Sequence, residues 1–334
     1  MTKQPEYSGQ WWALHNSDCV EGMHAMPEGS VDCSIFSPPF GDLFVYSDSE
    51  RDLGNAGDGQ AFMEQYAFFA KALARVMKPG RIACVHCTDL PTRKGKHGYI
   101  GLQDFSGDLI KAHTDAGMIY HGRATIWKDP VVEMQRTKAL GLLYKQIRKD
   151  SAMNRVGMPD YMLFFRAPGD NPDRIEHAAP DDDATATKIA RQWFDEMHRQ
   201  GLASSVPSDD AISELVGHAK FDVYDWQALA SPVWMDVDQG NVLKNYRKAR
   251  AEQDEKHVCP LQLGVIDRCL RLYTKPGDIV MDPFTGIGST GHQAVKQMRR
   301  FVGFELKPEY AKQAGINISE AEASIGDLFG AAAQ

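Results

Sequence analysis

A ten-residue stretch near the C-terminal end, "DPFTGIGSTG" at residues 282–291, limits the fold more than any other part of the chain. Its glycines, Gly286, Gly288 and Gly291, have the spacing G-x-G-x-x-G between a predicted strand, "GDIVMD", and a predicted helix, "STGHQAVKQM". Glycines at such a junction let the backbone turn tightly and approach a ligand. The next predicted strand, "RRFVGFE", ends at Glu305, whose carboxylate can accept hydrogen bonds from a ribose. The pattern predicts a nucleoside-containing cofactor.

The strands that complete this sheet must come from the N-terminal part of the chain, because only 43 residues follow Gly291. There, "WWALHN", "VDCSIF" and "RIACVH" read as strands, and "QAFMEQYAFFAKALARVM" has the spacing of an amphipathic helix. A helix, "FSGDLIKAHTDAG", and two strands, "MIYHGRATIW" and "DYMLFFRA", follow. Alternating strands and helices at both ends predict an α/β fold with a parallel sheet covered by helices.

The predicted strand "VDCSIF" runs into Ser37-Pro38-Pro39-Phe40, called the hook below. Neither proline has an N–H group to donate to a neighbouring strand, so the sheet ladder must stop here. A diproline of this kind, taken alone, is an unremarkable strand end.

The hook and the glycine loop together resemble two motifs of the S-adenosylmethionine-dependent DNA amino-methyltransferases, the N6-adenine and N4-cytosine family. Those motifs are [DNS]-P-P-[YF] and [D/F]-P-F-x-G-x-G-[ST], and the order seen here, hook first and loop last, resembles the permuted β class. The flanking segments "NSDCVEGMHAMPEGSVDCSIFSPPF", "HVCPLQLGVIDRCLRLYTKPGDIVMDPF" and "FVGFELKPEY" extend the resemblance over residues 12–166 and 257–315. It implies a Rossmann-like methyltransferase fold: a mostly parallel twisted sheet flanked by helices, with circularly permuted motifs and a smaller, mainly helical inserted module.

This resemblance divides the chain into three parts. Residues 1–166 and 257–334 would form the two halves of the catalytic domain, the second half binding the cofactor. Residues 167–256 would form the inserted module, used for target recognition or dimerisation. The module begins with a stretch rich in Pro, Asp and Ala and continues with two helical segments, "TKIARQWFDEMHRQG" and "DDAISELVGHA".

The resemblance makes the hook the catalytic motif, comprising Ser37, Pro38, Pro39 and Phe40. Ser37 Oγ and the Pro38 carbonyl would accept hydrogen bonds from the amino group of the target base, aiming its nitrogen at the methyl donor. Phe40 would stack on a base flipped out of the duplex, and the rigid prolines would fix the floor of its pocket.

S-adenosylmethionine is the cofactor that the resemblance implies. The glycine loop would hold its methionine part, Glu305 its ribose and Asp18 its adenine amino group. Asp18 has a competing interpretation as a helix N-cap, with Ser17 as the alternative cap, and His257 is equally well explained as a plain loop residue. The predicted cofactor residues are Asp18, Cys19, His257, Cys259, Pro260, Asp282, Pro283, Phe284, Gly286, Gly288, Ser289, Thr290 and Glu305.

The formal net charge of −8 argues, taken alone, against a nucleic-acid partner. The charge is uneven, however, since residues 121–166 hold nine Lys or Arg against four Asp or Glu, whereas residues 167–256 hold ten against eighteen. We therefore predict double-stranded DNA as the partner of the basic segment, although a solvated helix face explains "KALGLLYKQIRK" equally well, and Trp127 fits a buried core position. The candidate DNA contacts are Arg123, Trp127, Lys128, Arg136, Lys138, Lys145, Arg148, Lys149 and Arg155.

Six cysteines without a secretion signal predict reduced thiols. The C-x-x-C spacing of Cys84 and Cys87 has no second pair at metal-binding distance along the chain, so we predict no metal site. The absence of a leader-like or membrane-spanning apolar run predicts a cytoplasmic protein without membrane contact. Homodimers occur in the permuted class, so a homodimer is an expectation from resemblance.

The predicted activity is methylation of adenine N6 or cytosine N4 at specific DNA sites, and the sequence leaves the choice of base open. The alternatives are a catalytically silent DNA-binding protein with this fold, and a methyltransferase acting on RNA or protein. A nicotinamide-dependent oxidoreductase is disfavoured by the hook and by the late position of the glycine loop. No nuclease pattern is visible in the chain, so a restriction partner stays open.

Overall fold

Within the part of the chain that the structure describes, the strands of both chain ends pair into one nine-stranded sheet. The computed structural model describes residues 4–40, 59–92, 94–137, 140–244 and 260–329. In chain order the strands are β1 (Tyr7–Ser8), β2 (Trp12–His15), β3 (Val31–Phe36), β4 (Met77–Thr88), β5 (Leu90–Pro91), β6 (Leu102–Gln103), β7 (Ile119–Ile126), β8 (Asp160–Arg166), β9 (Val233–Trp234), β10 (Ile279–Asp282) and β11 (Arg300–Phe304). Across the sheet the order is β1-β2-β11-β10-β3-β4-β8-β7-β9, and β5 pairs with β6 separately.

Helices cover this sheet. They are α1 (Cys19–Ala25), α2 (Gly59–Val76), α3 (Lys94–His97), α4 (Phe105–Asp115), α5 (Pro130–Thr137), α6 (Tyr144–Lys149), α7 (Asp183–Arg199), α8 (Asp209–Ala219), α9 (Val223–Leu229), α10 (Leu263–Tyr273), α11 (Ser289–Lys296) and α12 (Pro308–Phe329). Among the described residues, no helix has the length and apolar content that a membrane crossing requires.

The predicted α/β architecture is confirmed. Strands β2, β11, β10, β3 and β4 run parallel, whereas β8 runs antiparallel to both β4 and β7. Every residue of β3 is buried, as expected for a strand covered on both faces. The two faces carry separate hydrophobic clusters, so Cys84 and Cys87, three positions apart in β4, lie in different clusters.

The direction of chain progression reverses between β10 and β3. From β10 the chain crosses through α11 to β11 on one side, and from β3 it crosses through α2 to β4 on the other. The carboxyl ends of β10 and β3 therefore lie side by side at the point where ligands bind in open α/β sheets. Side chains join the two segments here: Ser34 Oγ donates to the Met281 carbonyl at 3.0 Å, and Thr290 Oγ1 donates to the Ile35 carbonyl at 3.2 Å.

The described part of the predicted inserted module packs against the sheet. Trp193, Phe194 and Met197 of α7 belong to the same hydrophobic cluster as Val280 of β10, and β9 extends the sheet by pairing with β7. The segment thus shares one core with the catalytic halves. Its predicted role in recognition or dimerisation stays a prediction.

A buried ion-pair cluster lies at the opposite end of the strands from the hook. Arg81 Nη2 is 2.8 Å from both Asp32 Oδ1 and Asp278 Oδ2, and Lys78 Nζ is 2.6 Å from Asp32 Oδ1. Carboxylate oxygens of Asp32, Asp173 and Asp278 all come within 4.8 Å of one another. Because Arg81 lies between two of these carboxylates, their charge is balanced by cationic side chains and the cluster reads as structural.

Candidate active site

The glycine loop starts at Asp282, the last residue of β10, and leads directly into α11. Gly286 and Gly288 have φ values of 54° and 89°, in the left-handed region that favours glycine. A Cβ atom on Gly288 would lie 3.1 Å from Ala314 Cα in α12, and one on Gly291 would lie 2.6 Å from Ile318 Cδ1. Gly288 is therefore required by its left-handed conformation and by close packing against α12. Gly291 is required by close packing against the same helix.

Gly286 differs from the other two glycines because its surroundings are open. The nearest heavy atom to a Cβ built there, the Phe284 carbonyl oxygen, is 4.0 Å away. A side chain at this position would thus project into free space beside the carboxyl ends of the strands. The loop leaves this side open for a ligand, which fits the predicted cofactor.

The different environments of Gly288 and Gly286 lead to a stability prediction. We expect Gly288→Ala to lower the free energy of unfolding by about 2–4 kcal/mol, from backbone strain and from the clash with Ala314. Gly286→Ala should cost only the strain, about 1–2 kcal/mol. Denaturant unfolding of both variants measures the difference, and equal losses would exclude packing against α12 as the cause.

Glu305, directly after β11, supports the glycine loop from the neighbouring strand. Its Oε2 accepts from the Gly286 N–H at 2.7 Å and its Oε1 from the Lys307 N–H at 2.9 Å. Asn16 Nδ2 donates to the carbonyls of Glu305 and Leu306 at 2.8 and 3.1 Å, which ties the end of β2 to the same turn. The carboxylate predicted to bind ribose therefore lies beside the open face of the loop. Sequence reasoning did not identify Asn16.

Asp282 is the second carboxyl group at this edge, and it is buried. Burial raises its pKa to about 7, against the effect of the Phe284 N–H, which donates to Asp282 Oδ1 at 2.9 Å. A carboxyl group with a pKa near 7 is partly protonated at neutral pH, and a nearby cation favours its ionised form. The position suits the ammonium group of a bound amino acid moiety.

Asp18 lies at the end of β2 and forms the N-cap of α1, since its Oδ1 accepts from the Glu21 N–H at 2.9 Å. The competing N-cap interpretation of this residue is thus correct in geometry, and Asp18 rather than Ser17 is the cap. Cys19 is buried, and burial raises the pKa of its thiol. Pro260 is half-buried ahead of α10. His257 and Cys259 lie outside the described residues.

The hook follows β3 directly, beside the glycine loop on β10. Pro38 is buried, whereas Ser37, Pro39 and Phe40 are half-buried. The Phe40 ring lies 6.3 Å from the ring of His86, centroid to centroid, in an edge-on arrangement. Ser37 Oγ lies 3.1 Å from His86 Nδ1. The hook thus places a half-buried hydroxyl group and a half-buried aromatic ring, which also packs edge-on against Phe105, at the carboxyl end of β3.

A buried chain of polar side chains extends behind Ser37, and sequence reasoning missed it. His86 Nε2 lies 3.3 Å from Asp160 Oδ2, longer than a typical hydrogen bond, and Lys128 Nζ donates to Asp160 Oδ1. His86 is in β4 and Asp160 begins β8, next to the end of β4. The available signal was a histidine at the carboxyl end of the apolar strand "RIACVH".

Comparison with known proteins places this arrangement in a family. The model of the family described as DNA methylase, which covers N6 and N4 methyltransferases, matches residues 31–315. The chain belongs to the DNA methylase family. The match includes the hook, the glycine loop and Glu305, so the resemblance found in the motifs is confirmed.

Individual curated relatives of this family member match shorter segments. The Type II methyltransferase M.Cfr9I of Citrobacter freundii is 43% identical over 54 residues, which are 16% of this chain and 18% of that protein. DNA adenine methyltransferase YhdJ of Escherichia coli K12 is 37% identical over 75 residues, 22% of this chain and 25% of that protein. The first curated relatives are matched over 18% to 28% of their length.

Solved structures of similar fold cover nearly the whole chain. The protein TTHA0409 of Thermus thermophilus, solved in complex with S-adenosyl-L-methionine, has a TM-score of 0.59 at 19% identity and covers 92% of this chain and 93% of that one. The cytosine-N4-specific PvuII DNA methyltransferase has a TM-score of 0.56 at 17% identity, covering 98% and 96%. The fold is therefore shared over nearly the whole length of the chain.

The basic segment of the chain emerges at the same end of the strands as the hook, because Asp160 of β8 pairs with Ile126 of β7 on one side and Thr88 of β4 on the other. Trp127 is 43% exposed, so it is not a buried core tryptophan. Lys128 is bound to Asp160, which directs its ammonium group toward the site interior. Of the other candidate DNA contacts, those whose side chains are described are Arg123, Lys145, Arg148 and Lys149, which are exposed, and Arg155, which is half-buried. The side chain of Arg136 and all of Lys138 lie outside the described part of the chain.

Proposed function

We propose that the protein transfers a methyl group from S-adenosylmethionine to the exocyclic amino group of a base in double-stranded DNA, adenine N6 or cytosine N4. The observation that carries the proposal is the position of the hook beside the glycine loop, on the adjacent parallel strands β3 and β10. The names of similar proteins support the reaction class, since they include Type II methyltransferases, a DNA adenine methyltransferase and a cytosine-N4-specific enzyme. Those names point to both bases, so the target base stays open.

The hook supplies acceptors and a stacking surface. An exocyclic amino group is a weak nucleophile because its lone pair is delocalised into the ring. Ser37 Oγ and the Pro38 carbonyl, as acceptors for its two hydrogens, would draw the nitrogen toward a tetrahedral shape and orient its lone pair. The target amino group faces its pairing partner within a duplex, so the base must be flipped out to reach Ser37, and Phe40 would stack on it.

The residues at the ends of β10, β11 and β2 fit S-adenosylmethionine. Asp282 would pair with its ammonium group, Glu305 would accept from its ribose hydroxyls, and Asp18 would accept from its adenine amino group through the oxygen that does not cap α1. The open space at Gly286 leaves room for close approach of the ligand to the backbone. When bound, the cofactor supplies a sulfonium methyl group as the electrophile.

The raised pKa of Asp282, about 7, makes cofactor affinity depend on pH. Only the ionised carboxylate attracts the ammonium group, and this form dominates above the pKa. We therefore expect the Kd for S-adenosylmethionine to fall as pH rises through about 7 and then to level off, with a slope approaching tenfold per pH unit on the acid side. Titration calorimetry from pH 5.5 to 8.5 would measure it. In Asp282→Asn the dependence should disappear, and an identical profile in that variant would assign it to another group.

The exposed cations of α6 would contact DNA phosphates. Replacing Lys145, Arg148 and Lys149 together by Gln should weaken DNA binding equally for all sequences. It should also reduce the slope of log Kobs against log salt by about 0.9 for each phosphate that is no longer neutralised. Fluorescence anisotropy at several salt concentrations measures the slope. Lys188→Gln, an exposed lysine of α7 in the acidic segment, serves as the control and should leave the slope unchanged.

A homodimer and a cytoplasmic location remain predictions from resemblance and sequence. The segment from 167 to 256 is the proposed recognition or dimerisation region, and its acidity favours contact with protein over contact with phosphate.

The decisive experiment incubates purified protein with unmethylated duplex DNA and labelled S-adenosylmethionine, followed by nucleoside mass spectrometry. Appearance of N6-methyladenine or N4-methylcytosine, at a strongly reduced rate in Ser37→Ala and Asp282→Ala, is the expected result and identifies the base. Tight cofactor binding without label in either nucleoside would reject the duplex-DNA reaction. The same assay with RNA and with protein extract then tests the other substrates.

A further inference from the structure

The polar chain behind the hook has no part in the function proposed so far. It runs from Ser37 Oγ to His86 Nδ1, from His86 Nε2 to Asp160 Oδ2, and from Asp160 Oδ1 to Lys128 Nζ. His86 and Asp160 are 7% and 4% exposed. Burying an ionised group this deeply is costly unless it is paired, and titratable groups so arranged in a crevice are candidates for a functional role.

The direction of the hydrogen bonds along this chain follows from the donors available. Burial alone would raise the pKa of Asp160, but its contacts with His86 and Lys128 lower that pKa to about 2, so it is an acceptor at neutral pH. A proton on His86 Nε2 would point toward Asp160 Oδ2, 3.3 Å away, and would leave Nδ1 as an acceptor. With this tautomer, Ser37 Oγ donates to His86 Nδ1 at 3.1 Å, its shorter contact, rather than to the His86 carbonyl oxygen at 3.5 Å. Its own oxygen presents lone pairs to the crevice.

We propose that His86 is a positioning residue that acts through Ser37 in the methylation reaction. By accepting the Ser37 O–H it directs the lone pairs of Ser37 Oγ toward the amino group of the target base, and it takes up the proton that this amino group loses. The proposal rests on the proposed function.

Bonds and protons balance in this reaction. The amino nitrogen lone pair forms the new N–CH₃ bond while the C–S bond breaks and leaves its electron pair on sulfur. The nitrogen then loses one proton to Ser37 Oγ as the hydroxyl proton of Ser37 passes to His86 Nδ1. Ser37 ends neutral, and His86 ends as an imidazolium beside the Asp160 carboxylate, which compensates its charge. Solvent removes this proton once the product leaves.

The first test uses the free protein and needs no activity. NMR of isotope-labelled histidine should show His86 protonated on Nε2 and unprotonated on Nδ1 at neutral pH, with the Nδ1 resonance shifted in Ser37→Ala. His113 is an internal control, since this buried ring contacts the Tyr66 hydroxyl at 3.0 Å and should not respond to that change. A His86 ring protonated on Nδ1 would overturn the proposal whether or not the enzyme is active.

The second test separates proton uptake from a structural role. His86→Asn keeps an acceptor oxygen near Ser37 but cannot hold a proton. We expect its kcat to fall by about 10²-fold with unchanged KM for S-adenosylmethionine. Wild-type kcat should fall toward acid pH with the midpoint at which NMR detects the His86 imidazolium, and this acid limb should be absent in His86→Asn. A wild-type kcat with the same acid limb in His86→Asn would refute proton uptake by His86.

Other charged groups near His86 provide a further control. Ser37 and Asp160 contact its ring, Lys128 contacts Asp160, and the charges of Asp89, Arg123 and Asp104 act on Cys87, the next residue of β4. Lys128→Met removes a positive charge near the ring, so the NMR and kinetic midpoints should both move to higher pH. Separate movement of the two midpoints contradicts the proposal. If wild-type protein methylates no substrate, the proposed function fails, and the NMR result still tests the Ser37 to His86 hydrogen bond.

Discussion

Ser37→Ala is expected to lower kcat for methylation on the order of 10²-fold and to leave the Kd for S-adenosylmethionine unchanged. The hydroxyl oxygen is the only side-chain acceptor in the hook, so its loss leaves an amino hydrogen of the target base without a partner as charge develops on nitrogen. The cofactor residues at the ends of β10 and β11 keep their contacts in this variant. Single-turnover methylation and calorimetric cofactor titration measure the two quantities separately.

Ser34→Ala is the matched control for this prediction. Ser34 lies in the same strand, and its hydroxyl donates to the Met281 carbonyl in the buried interior. Its removal should cost about 1 kcal/mol of stability and leave kcat unchanged. Equal losses of kcat in both variants would mean that the Ser37 effect is structural. A Ser37→Ala enzyme with wild-type kcat would show that the hook does not supply the acceptor.

Arg81→Met is expected to lower the free energy of unfolding by about 3–5 kcal/mol. The Arg81 side chain is 2% exposed and bridges Asp32 and Asp278, which are almost equally buried. Methionine fills most of the same space but leaves the two carboxylates close together without the cation between them. The protein must then either bury this negative charge or bind a proton. Denaturant unfolding at neutral pH measures the loss.

Lys78→Met provides the comparison, because Lys78 contacts the same Asp32 but its side chain is 30% exposed. We expect the free energy of unfolding to fall by about 1 kcal/mol or less, since solvent already screens an ion pair whose lysine is partly exposed. Adding Asp278→Asn to Arg81→Met should restore part of the stability by removing one of the two carboxylates that lost Arg81. Equal costs for the two single variants would show that burial does not control this cluster.

Much of the fold follows from local patterns. The buried strands β3, β10 and β11 are short runs that contain β-branched or aromatic residues, and β4 contains the apolar run "IACV", which are patterns typical of buried strands. The two-residue strands β1, β5, β6 and β9 were not predicted, because a segment of two residues carries no periodic signal. The sequence also separated residues 167–256 by composition, whereas Trp193 and Phe194 pack into the common core. A change of charge along the chain reports on solvent exposure and not on where the apolar face of a helix packs.

Some parts of the candidate site were predicted from the sequence, and others were not. The hook and the glycine loop were found because prolines and glycines restrict or release the backbone itself, so their function is visible in the residue type. Lys128 was predicted to contact phosphate from its charge alone, and the structure binds it to Asp160. No functional role was predicted for His86, because it lies in a strand whose sequence is otherwise mostly apolar. Histidine and lysine take their roles from neighbours, which a linear pattern does not contain.

The sequence by itself determined the family, the α/β architecture and the two loops at the carboxyl ends of β3 and β10, because each depends on backbone conformation and apolar spacing over a few consecutive residues. Only strand pairing brings Ser37, His86, Asp160 and Lys128 into one chain of polar contacts, places Glu305 beside Gly286, and places Arg81 between Asp32 and Asp278. These contacts join residues up to 197 positions apart. Their energies arise from burial and from distances of about 3 Å, and both quantities exist only once the strands have paired.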